Sequence, residues 1–148
     1  MGAQLLRALG LDIGSKRIGV AISDESGLIA QPLQTISSTG AERDILSILE
    51  IVKDYNVTEI VVGLPFNMDG SEGPQVEKVR KFNGLLQEKA GLPVFEWDER
   101  LTTIAAERTL LEADMSRAKR RKLVDRIAAA LILQGHLDLR RNEANSVS

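Results

Sequence analysis

Glu59-Ile60-Val61-Val62-Gly63-Leu64-Pro65 is a continuous β-branched run, with no polar alternation after Glu59. Such a run offers no face to water, so it fits a strand buried on both sides, as in a parallel sheet covered by helices. The chain must then supply those helices, and the sequence on either side does so. Before the run, Ile45, Leu46, Ile48, Leu49 and Val52 recur at helical spacing from Ala41 to about Tyr55-Asn56. After it, the polar loop Phe66 to Gly73 leads to Pro74, which suits a first helical position. A second stripe follows (Val76, Val79, Phe82, Leu85, Leu86) and Gly91 ends it.

Three strands precede this alternation. Leu5 to Leu11 and Arg17 to Ser23 form an expected antiparallel hairpin, with Gly14 supplying backbone freedom at the turn. Leu28 to Leu33 is expected at an edge, because Pro32 cannot donate to a ladder. Pro93 to Asp98 is a fifth strand, and Thr102 or Thr103 caps a helix through Leu111. A last helix runs from about Arg117 to Leu139, and Arg140 to Ser148 is expected to be a disordered tail. The order β-β-β-α-β-α-β-α-α predicts one three-layer α/β domain over residues 1–139, with a five-stranded mixed sheet and helices on both faces. At 148 residues the chain can bury one full core but not two large ones.

Composition removes several chemistries. There is no cysteine, so thiolate catalysis, disulfides and Cys-based zinc sites are excluded. The one histidine, His136, lies late in a helical stretch and reads as a surface or packing residue, which removes the usual base of a serine nucleophile. Gly14 to Gly19 has P-loop spacing, but Val20-Ala21 stands where Lys-Ser/Thr is required, and no Gly-x-Gly-x-x-Gly occurs. No apolar run approaches the ~18–20 residues that span a bilayer, so no membrane role is expected and the fitting compartment is the cytoplasm.

Carboxylates remain. Asp12 follows the first apolar run, where a desolvated acid needs a basic group, backbone N–H groups or a cation as partner. Glu99 follows the fifth strand. Asp125 precedes Ile127 to Leu133, a segment apolar around the whole helix and so expected to be buried, with Ala128, Ala129 and Ile132 on the face of Asp125. With strands one and five parallel, Asp12 and Glu99 reach the same sheet edge. Three converging carboxylates suit Mg²⁺ or Mn²⁺ and phosphodiester hydrolysis. The bland readings are a turn role for Asp12, a Glu99–Arg100 pair, and an Asp125 pair with Arg121 or Arg126.

A basic run, Arg117, Lys119, Arg120, Arg121 and Lys122, stands just before Asp125 in a chain of net charge −2. Cations beside an acidic centre suit a polyanionic backbone, and positive charge is unfavourable at a helix N-terminus. Lys16, Arg17, Arg100 and the loop residue Asn67 are further candidate nucleic-acid contacts.

Four segments resemble the YqgF family, also called RuvX, of the RNase H-like superfamily. They are Leu11 to Ala21, Val61 to Pro65 with Asn67 to Gly70, Asp98 to Thr103, and Val124-Asp125 leading into Ala128-Ala129. The resemblance spans roughly Leu9 to Leu139. It implies an RNase H-like fold, metal-dependent cleavage of nucleic acid and a role in maturing the 5′ end of small-subunit rRNA. Asp12, Glu99 and Asp125 would be both the catalytic and the metal-binding acids. RuvC-type enzymes carry an acid on the fourth strand, where this chain has Val62-Gly63-Leu64; here the second acid follows the fifth. Three functions are compatible: an endonuclease on structured RNA such as an rRNA precursor, a Holliday junction resolvase acting on DNA, and a ribosome-assembly factor that binds RNA without cutting it.

Overall fold

The structure, a computed structural model, describes residues 6–102 and 117–146. Its strands are β1 (Ala8–Ile13), β2 (Arg17–Ser23), β3 (Ala30–Ser37), β4 (Glu59–Leu64) and β5 (Val94–Asp98). Its helices are α1 (Ala41–Tyr55), α2 (Pro74–Ala90) and α3 (Arg117–Ser146), with a short 3-10 turn at Glu99–Leu101. The expected helix from Thr102 or Thr103 to Leu111 lies outside the described residues.

The sheet order is β3-β2-β1-β4-β5. β1 and β2 form the antiparallel hairpin, while β1–β4 and β4–β5 pair in parallel. β4 is thus an interior strand, and all six of its residues are buried. Alternation sorts the side chains. Leu9, Leu11, Val20, Ile22, Ile60, Val62 and Leu64 point to one face and pack with Ile45 and Ile48 of α1 and Val76, Val79, Phe82 and Leu86 of α2. The other face carries smaller groups, Ala8, Ala21 and Val61, beneath Ala128, Ala129, Ile132 and Leu133 of α3. The small groups on β1 and β2 let that helix lie close there, and Trp97 of β5 packs against it at Gly135.

Four expectations shift. β3 begins at Ala30 rather than Leu28 and runs on to Ser37. Asp24 Oδ1 accepts the N–H groups of Leu28 (2.8 Å) and Ile29 (2.9 Å) and holds them in the preceding turn. β3 is nonetheless an edge strand, with Pro32 opposite Ala21 beside a register shift, where a missing donor costs least. Gly14 does not adopt a positive φ. Its need is steric: a β-carbon there would stand 2.7 Å from the Arg17 carbonyl, to which the Gly14 N–H donates at 2.9 Å. Within 127–133, Ile127, Ala130 and Leu131 are only half-buried, because the sheet covers one side of α3.

The fourth shift concerns the C-terminus. The residues expected to form a tail after Leu139 continue α3 to Ser146. Arg140 pairs with Glu59 at the start of β4, and Arg141 Nη2 lies 2.9 Å from Asp138 Oδ1. The Arg140–Glu59 pair ties the extra turns to the body of the domain, while the Arg141–Asp138 pair lies within the helix.

Candidate active site

Asp12 is the fifth residue of β1, and its side chain lies on the α3 face of the sheet. The register puts it opposite Gly19 of β2, and one residue past the Leu11–Val62 pair, beside Gly63 of β4. Both lateral neighbours of the acid therefore lack side chains. That leaves room for two other elements. A β-carbon on Gly19 would fall inside the backbone carbonyl of Asp125, so α3 can descend onto β2 only because the position is glycine. A β-carbon on Gly63 would stand 2.8 Å from Glu99 Oε1.

Glu99 enters from the 3-10 turn after β5 and lays its carboxylate over β4. Glu99, which follows β5 in sequence, thus lies beside the fourth strand in space. The turn is fixed by its neighbours: Asp98 accepts from the Arg100 backbone N–H at 2.9 Å and from Arg100 Nη2 at 2.6 Å. The Arg100 guanidinium holds the Asp98 carboxyl below its ordinary value, against some opposing effect of burial. Arg100 also stands 5.5 Å over the ring of Phe66. Glu99 has an interaction of its own, and Arg100 belongs to Asp98.

Asp12, Glu99 and Asp125 line one open cavity of about 810 Å³. Asp12 is buried, at 9% exposure, and the other two are half-buried. An all-carboxylate donor set fits a hard divalent cation in kind. In position it is incomplete: among the described residues no group of three or more His, Asp or Glu stands close enough to hold an ion. Asp125 faces Arg17, whose Nε donates to Asp125 Oδ2 at 2.6 Å. Its partner is neither Arg121 nor Arg126.

The cationic candidates divide. Lys16, Arg17 and Arg121 line the cavity. Lys119 and Lys122 are exposed at the start of α3, and the Lys122 carbonyl accepts from Thr35 Oγ1 at 2.7 Å. The side chains of Arg117 and Arg120 lie outside the described residues. Asn67 does not line the cavity; its Nδ2 donates to Ser71 Oγ at 2.9 Å and its carbonyl accepts from the Gly70 N–H, so it closes its own loop. Lys78 and Lys81 of α2, not among the expected contacts, also line the cavity. Their signal was present: both alternate with the buried Val79 and Phe82, which turns them to the outer edge of that helix.

His136 fills the packing role expected of it. Its ring lies 5.0 Å from Phe95, and Nε2 is 3.6 Å from the buried Glu59 carboxylate, at the end of the sheet where β4 begins. Among the described residues no helix is long and apolar enough to cross a membrane.

Residues 6–139 match the family described as RuvX, Holliday junction resolvase. A protein of Clostridium kluyveri is 56% identical over 133 residues, covering 90% of this chain and 97% of that protein. One from Myxococcus xanthus is 52% identical, covering 92% and 90%. Both carry the name "Putative pre-16S rRNA nuclease". Among solved structures, Thermus thermophilus RuvC in complex with a Holliday junction substrate superposes with a TM-score of 0.60 at 17% identity, over 93% of this chain and 96% of that one. That likeness establishes the RNase H-like architecture.

Proposed function

The chain belongs to the RuvX family, and on that premise we propose that it is a divalent-metal-dependent endonuclease that cuts structured RNA during maturation of the 5′ end of pre-16S rRNA. The observation that carries the reading is the convergence of Asp12, Glu99 and Asp125, from β1, the turn after β5 and α3, on one cavity walled by Lys16, Arg121, Lys78 and Lys81. Acids at the floor with cations on the walls suit a phosphate backbone crossing a hard-metal centre. The names of the curated relatives supply the substrate class.

Asp12, Glu99 and Asp125 would hold Mg²⁺ or Mn²⁺. Bound there, the ion would supply Lewis acidity and a water of lowered pKa. The chain's own residues do the rest. The glycines on either side of Asp12 leave room for the Glu99 carboxylate over β4 and for the α3 backbone over β2. Lys16, Arg121, Lys78 and Lys81, which line the cavity, would fix the phosphate backbone.

The family's description favours a second reading, resolution of a four-way DNA junction. Side-by-side incubation of a pre-16S rRNA fragment and a four-way junction with Mn²⁺ separates the two. Our reading expects cleavage of the RNA, lost in Asp12→Asn. Cleavage of the junction alone would replace it with the second reading, and full activity in Asp12→Asn would overturn the site.

A further inference from the structure

Arg17 and Gly19 alternate on β2, so the Arg17 side chain rises on the α3 face, one step along the strand from the point where α3 touches the sheet. Its guanidinium meets the Asp125 carboxylate at 2.6 Å, with both side chains largely shielded at 26% and 16% exposure. The two residues are 108 positions apart and both line the cavity. A carboxylate oxygen engaged by a guanidinium at that distance is not available on the same side to a cation, and two positive charges at one carboxylate repel.

We propose that Arg17 is a built-in counter-cation that competes with the divalent ion for Asp125. It holds the acid in place and neutralised until an ion loads, then releases it and turns its freed guanidinium to the phosphate backbone in the same cavity. The proposal deepens the metal-dependent nuclease reading and rests on it. Arg17 acts here as a positioning residue through Asp125. The arrangement accounts for two observations at once: the carboxylates share a cavity, yet among the described residues no three acids stand at ion-holding distance. Asp125 is drawn toward β2 by its ion pair. The competition also implies an order of events, since the arginine reaches the substrate backbone only after the ion has taken its place.

The test is calorimetric titration of Mn²⁺, with no nucleic acid present, into the wild type, Arg17→Gln, Arg17→Lys and Asp12→Asn. Removing the competitor should lower the Mn²⁺ dissociation constant in Arg17→Gln by about three- to tenfold, the range of a half-shielded ion pair. Equal or weaker Mn²⁺ binding in a folded Arg17→Gln protein overturns the proposal, because a merely structural arginine would loosen the site. Should Arg17→Gln fail to fold, Arg17→Lys carries the same test. Losing the planar fork weakens the hold on Asp125, so tighter Mn²⁺ binding supports the proposal and unchanged binding overturns it. Wild-type binding that Asp12→Asn abolishes, with unaltered affinity in the Arg17 variants, sinks this proposal alone. Absence of saturable Mn²⁺ binding in the wild type sinks it together with the metal-site reading.

Discussion

The Glu99 carboxylate lies against the backbone of Gly63: a β-carbon on Gly63 would stand 2.8 Å from Glu99 Oε1 and 2.5 Å from Ile132 Cδ1. One glycine therefore sets both how far Glu99 reaches toward Asp12 and how closely α3 lies on β4. We predict that Gly63→Ala destabilises by about 1–3 kcal/mol, as overpacking does, while unfolding stays cooperative. Cleavage should fall to the level of Glu99→Gln, because the methyl group pushes the acid off the strand. Circular dichroism melts and cleavage rates on the two variants check this. Wild-type activity in Gly63→Ala would separate Glu99 from the chemistry.

Glu59 gives a pH-dependent prediction away from the site. Burial by itself would raise its carboxyl, but pairing with His136 and Arg140 outweighs burial and holds it below its ordinary 4.5. A carboxyl depressed in the fold contributes stability that is full above its unfolded value and is lost as pH falls through the folded one. Wild-type stability should decline below about pH 4.5, and Glu59→Gln should flatten that part of the curve. At neutral pH the same variant should cost about 1–3 kcal/mol, since Arg140 is exposed enough to recover water. Urea titrations at a series of pH values measure both effects.

The cavity walls predict salt-dependent binding. Replacing Lys16 and Arg121 with Gln should weaken RNA binding across sequences and reduce the slope of log K against log salt by roughly 1.4–1.8. Lys78→Gln with Lys81→Gln should do the same from the α2 wall. Asn67→Ala should change the slope little, because that side chain closes its own loop. Fluorescence anisotropy on labelled RNA between low and moderate salt reads these slopes. Equal slopes for wild type and the α2 double variant would remove that wall from the interface.

Much of the fold was legible because its signals are local. The Glu59–Leu64 run, the Pro74 helix start and the alternation after Ala41 each announce their element within a few residues. Asp12, Glu99 and Asp125 were also legible as acids bordering apolar segments that the topology brings to one end of the sheet. What escaped is pairwise and distant. Nothing near Asp125 in sequence marks Arg17 as its partner; Arg121 and Arg126 are nearer in the chain, and Arg121 lines the same cavity, yet the 2.6 Å ion pair is with Arg17. Gly19 and Gly63 read as ordinary strand residues until the register places them on either side of Asp12. The helical residues after Leu139 were hidden by polar composition, since Arg140 is held by Glu59, 81 positions away.

Anomalous diffraction from crystals soaked in Mn²⁺ would locate the ion. We expect a peak in the cavity bound by carboxylate oxygens of Asp12, Glu99 and Asp125, with Arg17 displaced from Asp125. A peak elsewhere, or a saturating soak that leaves the Arg17–Asp125 pair intact and no ion among the three acids, would contradict it.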